Sequence, residues 1–227
     1  MLQTSLISRR PVGPLERETR MAMNALQDLK TIRRMAAEES VGHLKLLKSH
    51  AVTIVDSLLE NAVHEHPKAI CADYRRRGNQ ISDQEKKALK IRKNAFMNQQ
   101  ALAEISDTGL QDPIRAHELT VLRATFVISR YRTALSAERM ILEYAHYPIE
   151  VQYDVFHPDA CAVCNSLYRK PVPSDWALFP PKGCTCVTAP YGLHLNVDYI
   201  GGYLEEEKLE KTSSSVSIVE KIKEYFR

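Results

Sequence analysis

Four of the five cysteines fall in two close pairs, Cys161-x-x-Cys164 and Cys184-x-Cys186, with nineteen residues between them. Two close pairs joined by a loop can place four thiolates around one tetrahedral ion. Zinc is the ion such a set favours. Four thiolates close the shell and leave no position for water, so the zinc is expected to be structural. Two other chemistries use the same residues. Disulfides would need an oxidising setting, which nothing in the sequence indicates. A Cys-x-x-Cys pair can also stay unbridged or act as a redox couple. His157 and His194 flank the pairs; each is read first as a surface histidine or an outer partner of a ligand, with substitution for a cysteine as the alternative. Asn165, just after the first pair, tolerates a left-handed φ, and Gly183 gives the second pair the same freedom. Cys71 stands apart and reads as a small buried apolar residue.

A module must hold these sulfurs. Ile149 to Phe156 alternates apolar and polar residues, the pattern of a strand. Leu167-Tyr168 and Cys186 to Thr188 are expected to add short strands. Residues 149–203 contain too few apolar side chains to hold a fold by burial alone, so a metal staple is physically sensible. The composition also changes here. Residues 1–147 carry 23 Lys and Arg against 17 Asp and Glu, whereas residues 148–227 carry 8 against 11. Seven of the 11 prolines and the single tryptophan lie from Pro148 onward. The expected organisation is a flexible N-terminus over 1–12, a helical domain over 13–147 and a small cysteine-rich module over 148–203. An acidic linker and terminal helix follow over 204–227, the helix carrying Ile218, Ile222 and Phe226.

The part before the module reads as helices. Ala22, Leu26, Leu29, Ile32 and Ala36 form one apolar stripe, and Leu44, Leu47, Ala51, Ile54, Leu58 and Ala62 form another. His66-Pro67 ends the second. Ser82 with Glu85 is a capping box, predicted to open a helix carrying Ala88, Ile91, Ala95, Leu102 and Ile105. Asp112-Pro113 is a strong start signal, and neither proline nor glycine follows until after Tyr147. That is about 50 Å of helix. Ile114, Val121, Ile128, Leu135 and Leu142 recur every seven residues, but the companion row of His117, Ala124, Tyr131, Glu138 and Ala145 is mixed. A long bundle helix is therefore preferred to a coiled coil. The fold class is mainly α, with a small zinc-stapled α+β or β-hairpin module.

The formal charge of +3 is too small to mark a nucleic-acid binder by bulk electrostatics. One stretch is locally basic: Arg75, Arg76, Arg77, Lys86, Lys87, Lys90, Arg92 and Lys93 stand against Asp83 and Glu85. These residues are candidates for phosphate contact, or else a solvated surface. Tyr74 and Phe96 are the only aromatics nearby for base stacking. No apolar run is long enough to span a membrane, and the order of residues at the N-terminus is not that of a secretory signal. A soluble protein in a reducing compartment is expected. Phosphate-binding glycine loops, a nucleophile elbow and His-Glu-x-x-His are absent from the sequence. His64-Glu65-His66 has the wrong spacing to put both imidazoles on one helical face, and Glu60 with His64 reads as a surface pair. An enzyme is not expected.

The cysteine region resembles the end of the Mu-type head-morphogenesis family, the minor head proteins of tailed phages. The resemblance covers about residues 120–190. It runs from a helix into a strand, then Asp159-Ala-Cys161-Ala-Val-Cys164-Asn-Ser-Leu167, a loop through Trp176, and Phe179-Pro180-Pro181-Lys-Gly-Cys184-Thr-Cys186. The single-residue second spacing and the exit Val187-Thr-Ala-Pro190 are similar to that family as well. Departures are Lys182-Gly183 in place of His-Pro, Arg123-Ala-Thr125 in place of Arg-Thr-Glu, and Asp159-Ala160 in place of Arg-Thr. The resemblance implies a few-copy structural protein of the capsid interior or portal region, assembled in the host cytoplasm. Its partners would be the portal or major capsid protein, with packaged DNA and further copies of itself as additional ones. The alternative is a zinc-containing regulatory protein that binds nucleic acid through the basic stretch.

Overall fold

The computed structural model describes residues 28–61, 65–143, 147–155, 158, 160–173 and 176–201. The expected N-terminal segment, the acidic linker and the terminal helix lie outside them, as do Ala22, Leu26, Ala62, His64 and His157.

The first helix among the described residues, α1 (Leu29–Leu44), starts where Asp28 accepts a hydrogen bond from the Thr31 N–H at 3.1 Å. Ile32, Ala36, Ala37, Ser40 and Val41 form its buried face. It ends at Lys45, which takes a left-handed φ of 53° and bonds back to the Val41 carbonyl. Leu44 therefore closes α1 rather than opening the next helix, and Leu47 sits in a β-bridge to Ile105. The second stripe becomes a single 3-10 turn (Ser49–Ala51) running into α2 (Val52–Asn61). Pro67 begins α3 (Pro67–Arg76), capped by His66.

The capping box at Ser82 is present, with both reciprocal bonds made. Its helix, α4 (Asp83–Ala88), is much shorter than expected. Lys90 turns left-handed at φ 55°, and the Lys90 and Ile91 N–H groups bond back to the Lys87 and Lys86 carbonyls. That is a Schellman ending, after which Ile91 is buried. The chain then returns through a bridge between Gln80 and Asn98 into α5 (Gln99–Glu104). Gly109 passes directly over the Leu46 carbonyl, where any Cβ would collide with it.

The long helix is α6 (Pro113–Glu143), 31 residues. It is a bundle helix and is buried well beyond one seam. Ala124, Tyr131, His117 and Glu138 of the mixed row are all buried, as are Ala116, Arg123, Arg130 and Ala137. One side of α6 packs on α1, α2 and α3, and another receives the cysteine region. A single buried cluster runs from Ile32 to Leu193, so packing crosses the compositional change at Pro148.

The cysteine region is built on two antiparallel strands, β1 (Ile149–Val155) and β2 (Tyr191–Val197), with Tyr153 opposite Leu193. β1 is the strand expected from alternation. β2 alternates equally well, Tyr191, Leu193 and Leu195 against Gly192, His194 and Asn196, but was not anticipated. Neither Leu167-Tyr168 nor Cys186 to Thr188 forms a strand. Instead, residues 169–172 pair with the free edge of β1 through Tyr153 and Val151. Between the strands lies a one-turn helix, α7 (Ala162–Asn165).

Candidate metal centre

The two halves of the site come from different local structures. Cys161 caps α7 and Cys164 lies within it, so one turn brings both sulfurs to the same side. Cys184 follows a tight turn in which its N–H bonds the Pro181 carbonyl at 3.0 Å. Gly183 takes φ 86° at the third position of that turn, as a type II turn requires. The freedom expected of Gly183 is thus used. That expected of Asn165 is not: Asn165 is helical, and its side chain instead donates to the Ala160 carbonyl at 2.7 Å.

The four Sγ atoms of Cys161, Cys164, Cys184 and Cys186 lie within 4.8 Å of one another. A tetrahedral ion with Zn–S bonds of about 2.3 Å requires S···S edges of about 3.8 Å. The cluster therefore fits a four-thiolate ion such as zinc. All four cysteines are unbridged, and three are buried. Cys164 Sγ and Cys184 Sγ approach to 3.4 Å.

The sulfurs are electrostatically unequal. Burial alone would raise the Cys161 thiol. Backbone N–H groups of Cys164 and Thr185, with the neighbouring thiols, outweigh it and pull Cys161 down to about 5. Burial pushes Cys164 and Cys186 up; for Cys164, neighbouring Cys184 adds to the effect. The Cys161 N–H itself donates to Cys186 Sγ at 3.1 Å. Cys161 thus favours the thiolate, and a divalent cation would supply the charge that burial denies Cys164 and Cys186.

His194 is not part of the cluster. Alternation along β2 buries Tyr191 and Leu193 and turns His194 outward, exposed and opposite Gln152. Cys71 is fully buried in α3, and burial raises its thiol to about 12, consistent with a packing role.

Three residues that the sequence reading did not single out as site residues fix the module to α6. Arg123 donates to the carbonyls of Cys186 (2.6 Å) and Val187 (3.2 Å) and grips both oxygens of Glu39 on α1. Arg130 donates to the carbonyls of Leu178, Ala189 and Tyr191, and lies 4.1 Å from the centroid of the Tyr191 ring. Glu138 accepts from Trp176 Nε1 at 3.2 Å. The available signal was positional: Arg123 and Arg130 occupy one heptad row with Ala116 and Ala137.

The basic stretch is only partly a surface. Arg75 is buried, bonded to Glu118 at 2.6 Å and to the Ile114 carbonyl, so it holds α3 on α6 and does not face a ligand. Arg76, Arg77, Lys87, Lys90, Arg92 and Lys93 are exposed, and Lys86 is half-buried. Arg76 lies over the exposed Phe96 ring, and Lys93 reaches Asp83. Glu60 is paired with Arg33. Among the described residues, no helix is long and apolar enough to cross a membrane. Comparison with protein-family models, with curated proteins and with solved structures gives no match.

Proposed function

We propose that this chain is a structural virion component, a minor head protein of the tailed-phage, Mu-type kind. It sits at the portal or the inner capsid wall and acts in head morphogenesis or in DNA packaging and delivery. The observation that carries this reading is the convergence of Cys161, Cys164, Cys184 and Cys186 on one cluster, in a module seated on the long helix that precedes it. The Cys-x-x-Cys, Pro-Pro, Cys-x-Cys pattern behind the resemblance is thus matched by a shared site. In this reading the ion is zinc. A closed four-thiolate shell makes the module a rigid clip and gives the ion no open position for chemistry, so the ion's role is structural. Assembly takes place in the reducing host cytoplasm. Coexpression with the portal and with the major capsid protein, followed by sedimentation, tests the reading. Co-migration with either is expected, and association with neither would overturn it.

A second reading has its own observation. Six exposed basic residues on and around α4, with Phe96 beside them, form a surface suited to nucleic-acid phosphates. Binding that falls with log salt by roughly one unit of slope per phosphate contact would support it. Sequence preference separates a regulator from a head protein that touches packaged DNA, since only the regulator needs it.

A further inference from the structure

Arg123 and Arg130 lie two turns apart on α6 and are each 1% exposed. Their charges are unevenly balanced. Glu39 answers Arg123 with both carboxylate oxygens. Among the described residues Arg130 hydrogen-bonds only to carbonyl groups and lies against the Tyr191 ring; the carboxylate whose charge reaches it, Glu39, is already bound to Arg123, and the Arg130 Nη2 has no hydrogen-bond partner. The next carboxylate along the helix, Glu138, is occupied by Trp176. A buried guanidinium without an anion is costly, and such an arrangement persists when something else supplies the negative charge.

The neighbouring cluster supplies it. A divalent ion with four thiolates carries a net charge of −2, and Arg130, whose charge has no bound anion, would answer part of it, while Arg123, shared with Glu39, contributes less. Arg123 already holds the Cys186 carbonyl, and Arg130, one heptad further along α6, holds the Ala189 and Tyr191 carbonyls of the segment that leaves Cys186. We infer that Arg130, assisted by Arg123, is the counter-charge of a zinc tetrathiolate, so that metal binding and seating of the module on α6 stabilise each other. This inference rests on the zinc reading of the cluster. Arg130 is a positioning and charge-balancing residue and does not ligate the ion.

The test uses the full chain under reducing conditions. Zinc stoichiometry of the natural protein is measured first, then zinc affinity by competition with a chromogenic chelator for Arg130→Met, Arg130→Lys and Glu39→Gln. Urea midpoints of the metal-free forms are measured alongside. Arg130→Met is expected to weaken zinc about tenfold or more, because a neighbouring full charge is lost. Its metal-free midpoint should fall as well, because the Leu178, Ala189 and Tyr191 carbonyls lose their donor, so the zinc affinity is the readout that separates a counter-charge from a clamp. Arg130→Lys should stay within about threefold of the natural protein, the charge being kept. Glu39→Gln should tighten zinc several-fold, because it removes the one competing anion. If Arg130→Met leaves zinc affinity unchanged while lowering the metal-free midpoint, Arg130 is only a clamp and the inference is overturned. If that variant does not fold, Glu39→Gln decides: unchanged or weaker zinc binding overturns the inference. A natural protein that binds no zinc overturns the zinc reading itself, a separate outcome visible at the first step.

Discussion

Replacing Arg123 with Met tests how strongly the long helix holds the cysteine module. The side chain is fully buried and makes bonds to Glu39 at 2.6 and 2.9 Å, and to the Cys186 and Val187 carbonyls at 2.6 and 3.2 Å. Methionine fills much of the same volume without donors. Removing one partner of a buried ion pair costs about 3–5 kcal/mol. The lower end applies here, because the Glu39 side chain is 24% exposed and regains some water. A buried carbonyl left unpaired adds about 1–3 kcal/mol. Only the Cys186 carbonyl counts in full, since Val187 is 47% exposed. The expected loss is about 4 kcal/mol, a large part of the roughly 5–15 kcal/mol that holds a typical domain. Urea unfolding of the zinc-treated protein, followed by circular dichroism, measures it. A loss below about 1 kcal/mol at unchanged m-value would refute the reasoning, since exposed ion pairs are worth no more than that.

Two further outcomes follow from the helical part. Gly109→Ala places a methyl group against the Leu46 carbonyl and the Ile105 side chain, and should lower stability by about 1–3 kcal/mol in the same assay. Glu104 is buried, which by itself raises its carboxyl, but donation from His117 and Tyr74 outweighs burial and holds it below its usual value. A carboxylate depressed in the folded state contributes stability above its unfolded value of about 4.5, and that stability is lost as pH falls through the folded value. Stability curves for the natural protein and Glu104→Gln should therefore differ at neutral pH and converge in acid; a difference independent of pH would contradict this network.

What the sequence disclosed was mostly local. The four cysteines, the Ser82–Glu85 capping box, the Asp112-Pro113 helix start and the β1 alternation each depend on near neighbours, and each appears in the structure. What stayed hidden depends on distant partners or on backbone choices that residue type does not fix. Lys45 and Lys90 end helices in left-handed conformations more often given to glycine, so periodicity alone carries Leu44 into the next helix and extends α4 past Ala88. The companion row of α6 reads as mixed, yet it is buried, because its polar members have partners far along the chain: His117 meets Glu104, and Glu138 meets Trp176. Arg75 looked like surface for the same reason, its partner Glu118 lying 43 positions away. Arg123 and Arg130 were hidden in this way too, although they link the site to the fold.

The most direct test is native mass spectrometry of the intact chain, purified under reducing conditions without chelator. It reads metal content and oligomeric state together. One zinc per chain, lost when Cys164 is changed to Ser, is the expected result. A metal-free chain whose mass is short by two hydrogens for each bridge would instead make these cysteines disulfides. The structural-zinc clip would then be wrong, together with the charge balance assigned to Arg130.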